Sequence, residues 1–324
     1  MKAVPLEDAD RESVSSIWGN SKSEQRKRDS PLRIARHRAR HVVAVEAKFR
    51  LGLPTDLACD FGTWQRRVGS IGEPHPASSR AQKLPLAVVM HVYYPDLVPL
   101  LLDKLSVIDV PFDLFVTNAS GQKLDLSSAG AVTITVLEVE NRGRDVWPFM
   151  QVVQSGALDG YGAVVKLHTK KSPEHVSAFL GAADGREWRE NLVNSLLGSA
   201  GAFRRAFAAV TEGKGGLACH QASIAGPEAW GTDRRAVRHL ARRIGVKCPP
   251  SKLRFPAGSI FIMRGSLVPV LKGLRMSRED FEGEDSGWHT TTAHALERLM
   301  GYVAASEGLE TVGLEAPEPD GQVG

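Results

Sequence analysis

The sequence predicts an α/β protein with a largely parallel sheet flanked by helices, and three observations predict it. Short apolar runs alternate with stretches of helical apolar spacing from Leu84 onward. Charged segments follow directly after several of those runs, where α/β sheets carry their sites. With 324 residues, 42% of them hydrophobic, the chain can bury a full core.

In order, L-A-V-V-M-H-V (86–92) is a buried strand, 95–108 an amphipathic helix, F-D-L-F-V-T (112–117) a second strand and 132–139 a third. A helix over 146–154 accepts Pro148 in its first turn, and A-V-V-K-L-H (163–168) is the next strand. Helices follow over 187–197 and 202–211. G-L-A-C-H (216–220) and G-S-I-F-I-M (258–263) are later strands, and 290–306 is a closing helix. Residues 1–83 read as a partly helical arm and linker, 84–309 as the domain, and 310–324 as a disordered tail.

Several classes drop out. No apolar run is long enough to span a membrane, and the first residues lack the apolar core of a signal peptide, so the expected location is cytoplasmic. Cys59, Cys219 and Cys248 form no C-x-x-C pair, which leaves reduced thiols. The net charge of +4 is uneven: residues 21–50 hold ten Lys/Arg against three carboxylates, so the basicity belongs to the arm. That arm suits an anionic membrane surface at the inner face or simple solvation; its basic segment, 21–50, has one aromatic, Phe49, and so offers no stacking series, and nucleic acid is not expected. There is no G-x-S-x-G, H-E-x-x-H, G-x-G-x-x-G or Walker P-loop.

Three clusters carry the candidate chemistry. In V-E-N-R-G-R-D-V-W-P-F, Gly143 permits a tight turn, and the forks of Arg142 and Arg144 suit a diphosphate or ion pairs with Glu138 or Glu140. Asp145 also fits as the N-cap of the next helix. In K-L-H-T-K-K-S, Lys166 alternates with apolar neighbours inside a strand, where an ammonium is costly to bury unless it meets an anion. Together with His168, Lys170 and Lys171 it forms either a phosphate site or a solvated loop. In D-F-E-G-E-D-S-G-W-H, crowding among Asp280, Glu282, Glu284 and Asp285 raises one carboxyl toward use as a proton acceptor, or the segment is an acidic loop before a helix. His294 and Glu297, three apart on that helix, share a face with a salt-bridging role for Arg298 equally open.

In this order, V-M-H-V-Y-Y-P-D-L, P-F-D-L-F-V-T, V-E-N-R-G-R-D-V-W-P-F, Y-G-A-V-V-K-L-H-T-K-K-S, W-R-E-N-L, F-P-A-G-S-I-F and A-H-A-L-E-R-L resemble the rhamnan synthesis protein F family across most of 84–309. The resemblance implies the nucleotide-diphospho-sugar transferase fold called GT-A and glycosyl transfer in surface polysaccharide (rhamnan or O-antigen type) biosynthesis. It implies a dTDP-rhamnose-type donor and a lipid-linked or growing glycan as acceptor. On that footing His91 and Tyr93 lie against the nucleotide, while Arg142, Arg144, Lys166, His168, Lys170 and Lys171 surround the diphosphate. Asn141 and Asp145 hold sugar or nucleoside. Asp285, with Glu284 second, is the base of an inverting transfer, and Trp188, Arg189, Gly258, His294, Glu297 and Arg298 support the acceptor side. Many enzymes of the GT-A fold carry an Asp-x-Asp metal motif that this chain lacks after its fourth strand; the expectation is therefore no required cofactor, with Lys and Arg in place of the metal and a divalent Mg or Mn ion as the alternative. Relatives tend to read D-G-T-L before A-H-A-x-E-R where this chain has His289 to Thr292, a departure that favours the alternative of a non-catalytic glycan-binding partner with the same fold.

Overall fold

The computed structural model describes residues 85–169, 185–230, 233–282 and 291–317. The basic arm, Lys170, Lys171, Glu284, Asp285 and the His289–Thr290 pair lie outside the described residues. The described residues fall in one contact unit. They form an α/β fold with a seven-stranded mixed sheet.

The first strand, β1 (Leu86–Val92), is buried along its whole length. A 3-10 turn (Pro95–Leu97), opened by a proline that fixes φ, leads into α1 (Val98–Leu105). β2 (Phe112–Asn118), β3 (Thr133–Glu138), α2 (Val146–Gln154) and β4 (Ala163–His168) follow. Next come α3 (Gly185–Leu197), α4 (Ala200–Thr211) and β5 (Gly215–His220); Ser199 caps α4 by accepting from the Ala202 amide. The short strands β6 (Ile224–Ala225) and β7 (Phe255–Pro256) form a separate antiparallel pair around α5 (Arg234–Arg243). The chain closes with β8 (Phe261–Arg264), α6 (Val268–Lys272), α7 (Thr292–Ser306) and β9 (Glu310–Leu314).

The strand order is β3-β2-β1-β4-β8-β5-β9, and only β8 runs against its neighbours. The order reverses at β1, which pairs in parallel with β2 on one side and β4 on the other. In open α/β sheets such a switch point opens a crevice at the strands' carboxyl ends.

Alternation along the strands divides the core into two layers. Leu86, Val88, Met90, Val165 and Leu167 pack toward α1, α3 and α4, while Ala87, Val89 and Val164 pack toward α2 and α7. By the same period His91, Lys166 and His168 continue the second set, so all three polar residues come to the α2 side of the sheet near its carboxyl edge.

Three expectations are corrected. Residues 310–314 are not a disordered tail: Glu310–Leu314 adds an edge strand to the sheet, paired in parallel with β5, although Gly313 and Glu310 weaken its local strand pattern. The strand expected over 258–263 begins at Phe261, because Gly258 and Ser259 turn with φ of 91° and 61°. The basicity is not confined to the arm, since eight Lys/Arg face one carboxylate between Asp233 and Arg254, around α5.

Candidate functional site

The site is built at the last rungs of β2, β1 and β4. In register, Thr117 lies beside His91 and His91 beside His168. The Nδ1 of His91 is 3.0 Å from Thr117 Oγ1, which fixes the ring. One residue past β4, the Thr169 amide donates to the His91 carbonyl (2.9 Å), and Thr169 Oγ1 accepts from the amides of Tyr93 and Tyr94 at 2.9 Å each. The chain leaving β1 is thereby fastened to the chain leaving β4, which orients Tyr93, an exposed ring at the rim.

Lys166 is 2% exposed, and its ammonium is answered from two directions. It donates to Asp145 Oδ2 and to the Ser259 carbonyl (2.9 Å). The rings of Phe149 and Phe261 lie 5.6 and 5.8 Å from it. The inversion of β8 makes this possible, because Phe261 at its start is the register partner of Lys166, so the preceding turn brings its carbonyls to the end of β4. His168 Nε2 lies 2.8 Å from the Gly258 carbonyl and 3.9 Å from Asp145 Oδ2. Glu297 of α7 accepts from the Gly258 amide at 2.8 Å.

Asp145 stands at the N-cap position of α2, yet its side chain makes no capping bond. The carboxylate is spent on Lys166 instead. Burial alone would raise its pKa, but the neighbouring His168 and Lys166 charges, the Lys166 hydrogen bond and His91 together hold it far below the usual carboxylate range. His91 moves the other way from its ordinary value. Burial, opposed by Asp145 and aided by His168 and Lys166, lowers it to about 4, so the ring is neutral near pH 7. The pair Lys166–Asp145 is therefore a buried, mutually neutralised charge.

The preceding turn carries two successive left-handed residues, Gly143 (φ 60°) and Arg144 (φ 57°). Glycine is required at the first, since a Cβ there would sit 2.5 Å from Phe281 Cδ1 and 2.7 Å from Trp147 Cβ. The turn sends the two arginines apart. Arg142 donates to the Phe281 carbonyl (2.6 Å) and to Glu140 (2.8 Å), so the ion-pair reading open in the sequence is realised for Arg142. Arg278 also reaches Glu140, at 2.7 Å. Arg144 is exposed, with Nη1 3.2 Å from His294 Nε2. His294 in turn completes the capping box of α7 with Thr291. Asn141 sits part-buried between Glu140 and Arg142.

The remaining candidates divide. Trp188 (2% exposed) packs behind the turn, its Nε1 3.5 Å from where a Cβ on Gly258 would lie, and its ring meets His220 edge-on. Arg189 is buried on α3 beside it. Arg298 is structural: it bonds the Ala229 and His294 carbonyls, pairs with Asp233 at 3.1 Å and covers the Phe255 ring. The acidic cluster is partly described. Asp280 holds Arg243 through both oxygens, and Glu282 accepts from the Thr292 amide at the start of α7, pinning the two flanks of residues 283–290 together. Among the described residues no group of three or more His, Cys, Asp and Glu is placed to hold a metal ion, and no helix is long and apolar enough to cross a membrane.

Thr117, Thr169 and Ser259 belong to the cluster and carry no sequence signal of their own; the one trace is K-L-H-T, where a threonine ends a run of rim residues.

Buried, compensated charge thus gathers at the carboxyl ends of β1 and β4, with the exposed Arg144 at its edge, in an α/β protein whose strand order reverses at that point. The family model for rhamnan synthesis protein F matches residues 71–309, and the chain belongs to that family. The match reaches back to residue 71, upstream of the boundary expected at Leu84. The chain is similar to "Uncharacterized protein WxcX" from two strains of Xanthomonas campestris pv. campestris, 28% identical over 225 residues to each, or 68% of this chain and 31% of the relative. It thus covers under a third of the length of those curated relatives. No solved structure matches the chain.

Proposed function

We propose that the chain is a glycosyltransferase of surface polysaccharide biosynthesis on a GT-A-like sheet, acting on a nucleotide-diphosphate sugar of the dTDP-rhamnose type. The observation that carries the reading is the meeting of His91, Asp145, Lys166 and His168 at the β1/β4 switch point with Arg144 at its edge. A charged cluster of this kind in a crevice is where function concentrates.

In this reading the buried cations do not touch the donor. Lys166 holds Asp145 by Oδ2, and Asp145 Oδ1, with no hydrogen bond among the described residues, accepts from a sugar hydroxyl. Arg144 forks onto the diphosphate, aided by Lys170 and Lys171, while Tyr93 and Asn141 flank the nucleoside. The acceptor hydroxyl oxygen attacks the anomeric carbon with inversion, and the bond from that carbon to the diphosphate oxygen breaks. Its proton passes to Asp285, with Glu284 second. Such a base supplies about 10² to 10⁴ in rate. The acceptor is a glycan, free or lipid-linked, met at the inner membrane face.

Release of dTDP, UDP or GDP from the matching sugar, with polysaccharide primer as acceptor, tests this directly. Asp285→Asn should slow release at least about 10²-fold with donor binding retained. Equal rates in the variant would remove Asp285 from the role. A second reading, a non-catalytic glycan-binding partner, is favoured by His289–Thr290 and by the engagement of Arg142 within the protein. It predicts glycan binding with no nucleotide release.

A further inference from the structure

We propose that the exposed face of α5, with the loop that follows it, is a docking surface for the anionic headgroups of a lipid bilayer. Arg234, Arg235, Arg238 and Arg242 are all exposed. At 3.6 residues per turn they fall within an arc of about 100°. Val237, Leu240 and Ala241 are buried in the core, so one side of the helix is anchored to the domain and the four arginines lie away from it. Lys247 and Lys252 in the loop are exposed as well. Cys248 between them lies close enough to Arg238 and Arg242 for both to act on its thiol, which joins loop and helix into one patch. None of these six cations pairs with a carboxylate among the described residues. The one acid of the segment, Asp233, is buried against Arg298.

Surface arginines usually stand among acids that offset them. Here the segment from Asp233 to Arg254 carries eight Lys/Arg and one carboxylate; Arg243 is offset by Asp280 and Asp233 is paired with Arg298, which leaves the six exposed cations above, with Arg254, to set the sign of the surface. Such a one-signed field calls for an anionic partner. The segment from Asp233 to Arg254 contains no Phe, Tyr or Trp, so it offers no platform on which bases could stack. A basic face on a helix roughly 15 Å long fits a headgroup plane, which supplies charge at every point. The face also flanks the site. Asp233 at the start of α5 pairs with Arg298, Arg298 bonds the His294 carbonyl, and His294 meets Arg144.

The test is sedimentation of the full chain with vesicles of phosphatidylcholine, alone or with phosphatidylglycerol, at fixed ionic strength and without nucleotide. Its failure therefore leaves the transferase reading standing. The wild-type chain should partition onto the anionic vesicles only. Replacing the four arginines by alanine should lower partitioning by about fivefold for each, approaching 10³-fold together if the four contributions add. Replacement by lysine keeps charge and shape and should retain binding, which separates loss of charge from loss of fold. Unchanged partitioning of a folded alanine variant would overturn the proposal. So would tighter, alanine-sensitive binding to duplex DNA or RNA than to vesicles at the same salt, which would make the face a nucleic-acid surface.

Discussion

The two cationic regions of this domain handle charge in opposite ways. At the carboxyl rim of the sheet Lys166 is buried, and a carboxylate, a backbone carbonyl and two aromatic rings answer its ammonium. On α5 four arginines are exposed and form no ion pair with a carboxylate among the described residues. Burying an ion demands a partner, because the unpaired cost is several kcal/mol, whereas an exposed cation is solvated and makes no such demand. The rim is therefore an internally balanced scaffold that fixes geometry. The α5 face is unbalanced and available. Arg144 lies between the two kinds: it precedes Asp145, the partner of buried Lys166, yet is itself exposed.

The largest effect should come from breaking the balanced pair. Asp145→Ala leaves Lys166 buried without its counter-charge and should cost about 3 to 5 kcal/mol in a urea titration. The same carboxylate sets an acid limit. Its folded pKa is depressed, so its contribution is complete above the unfolded value of about 4 and is lost only as pH falls below that, a loss absent from Asp145→Asn.

His91 should show the next effect, in a different window. Its folded pKa of about 4 lies below the unfolded value of about 6.5, so the unfolded chain takes up the proton first. Stability is then full above about pH 6.5 and falls between there and about pH 4, by on the order of 3 kcal/mol. His91→Gln should flatten that slope in denaturant titrations across pH 4 to 7.

Gly143→Ala should cost about 1 to 3 kcal/mol, from the left-handed backbone and the collision with Phe281 and Trp147. It should also displace Arg144 and weaken anion binding. Arg144→Ala should leave the melting temperature within the effect of about 0.5 kcal/mol, as expected for an exposed side chain, while lowering nucleotide affinity at least about tenfold. A large loss of stability there would erase the distinction between scaffold and ligand-facing cations.

The contrast was only half legible in the sequence. Buried strands such as L-A-V-V-M-H-V show themselves by local pattern, and β1, β2, α2 and β4 lie within a residue or so of where that pattern puts them. Strand direction has no local signature, so the inversion of β8 was invisible, and with it the arrival of Gly258 and Ser259 at the end of β4. A lysine alternating inside a buried strand does announce that an anion must meet it. That the anion is Asp145, from the neighbouring loop, depends on register and not on spacing. In R-R-A-V-R-H-L-A-R-R only Val237, Leu240 and Ala241 mark the buried face, and the arginines mask them; β9 was missed because a short strand containing Gly313 reads as loop.

On the proposed function the rim takes a nucleoside diphosphate through Arg144, and calorimetric titration of dTDP, UDP and GDP into the full chain, with and without Mn²⁺, measures that binding. The account predicts that one of the three binds and that Arg144→Ala loses that binding while melting at the wild-type temperature. Absence of binding by all three under both conditions, or equal affinity in Arg144→Ala, would contradict it.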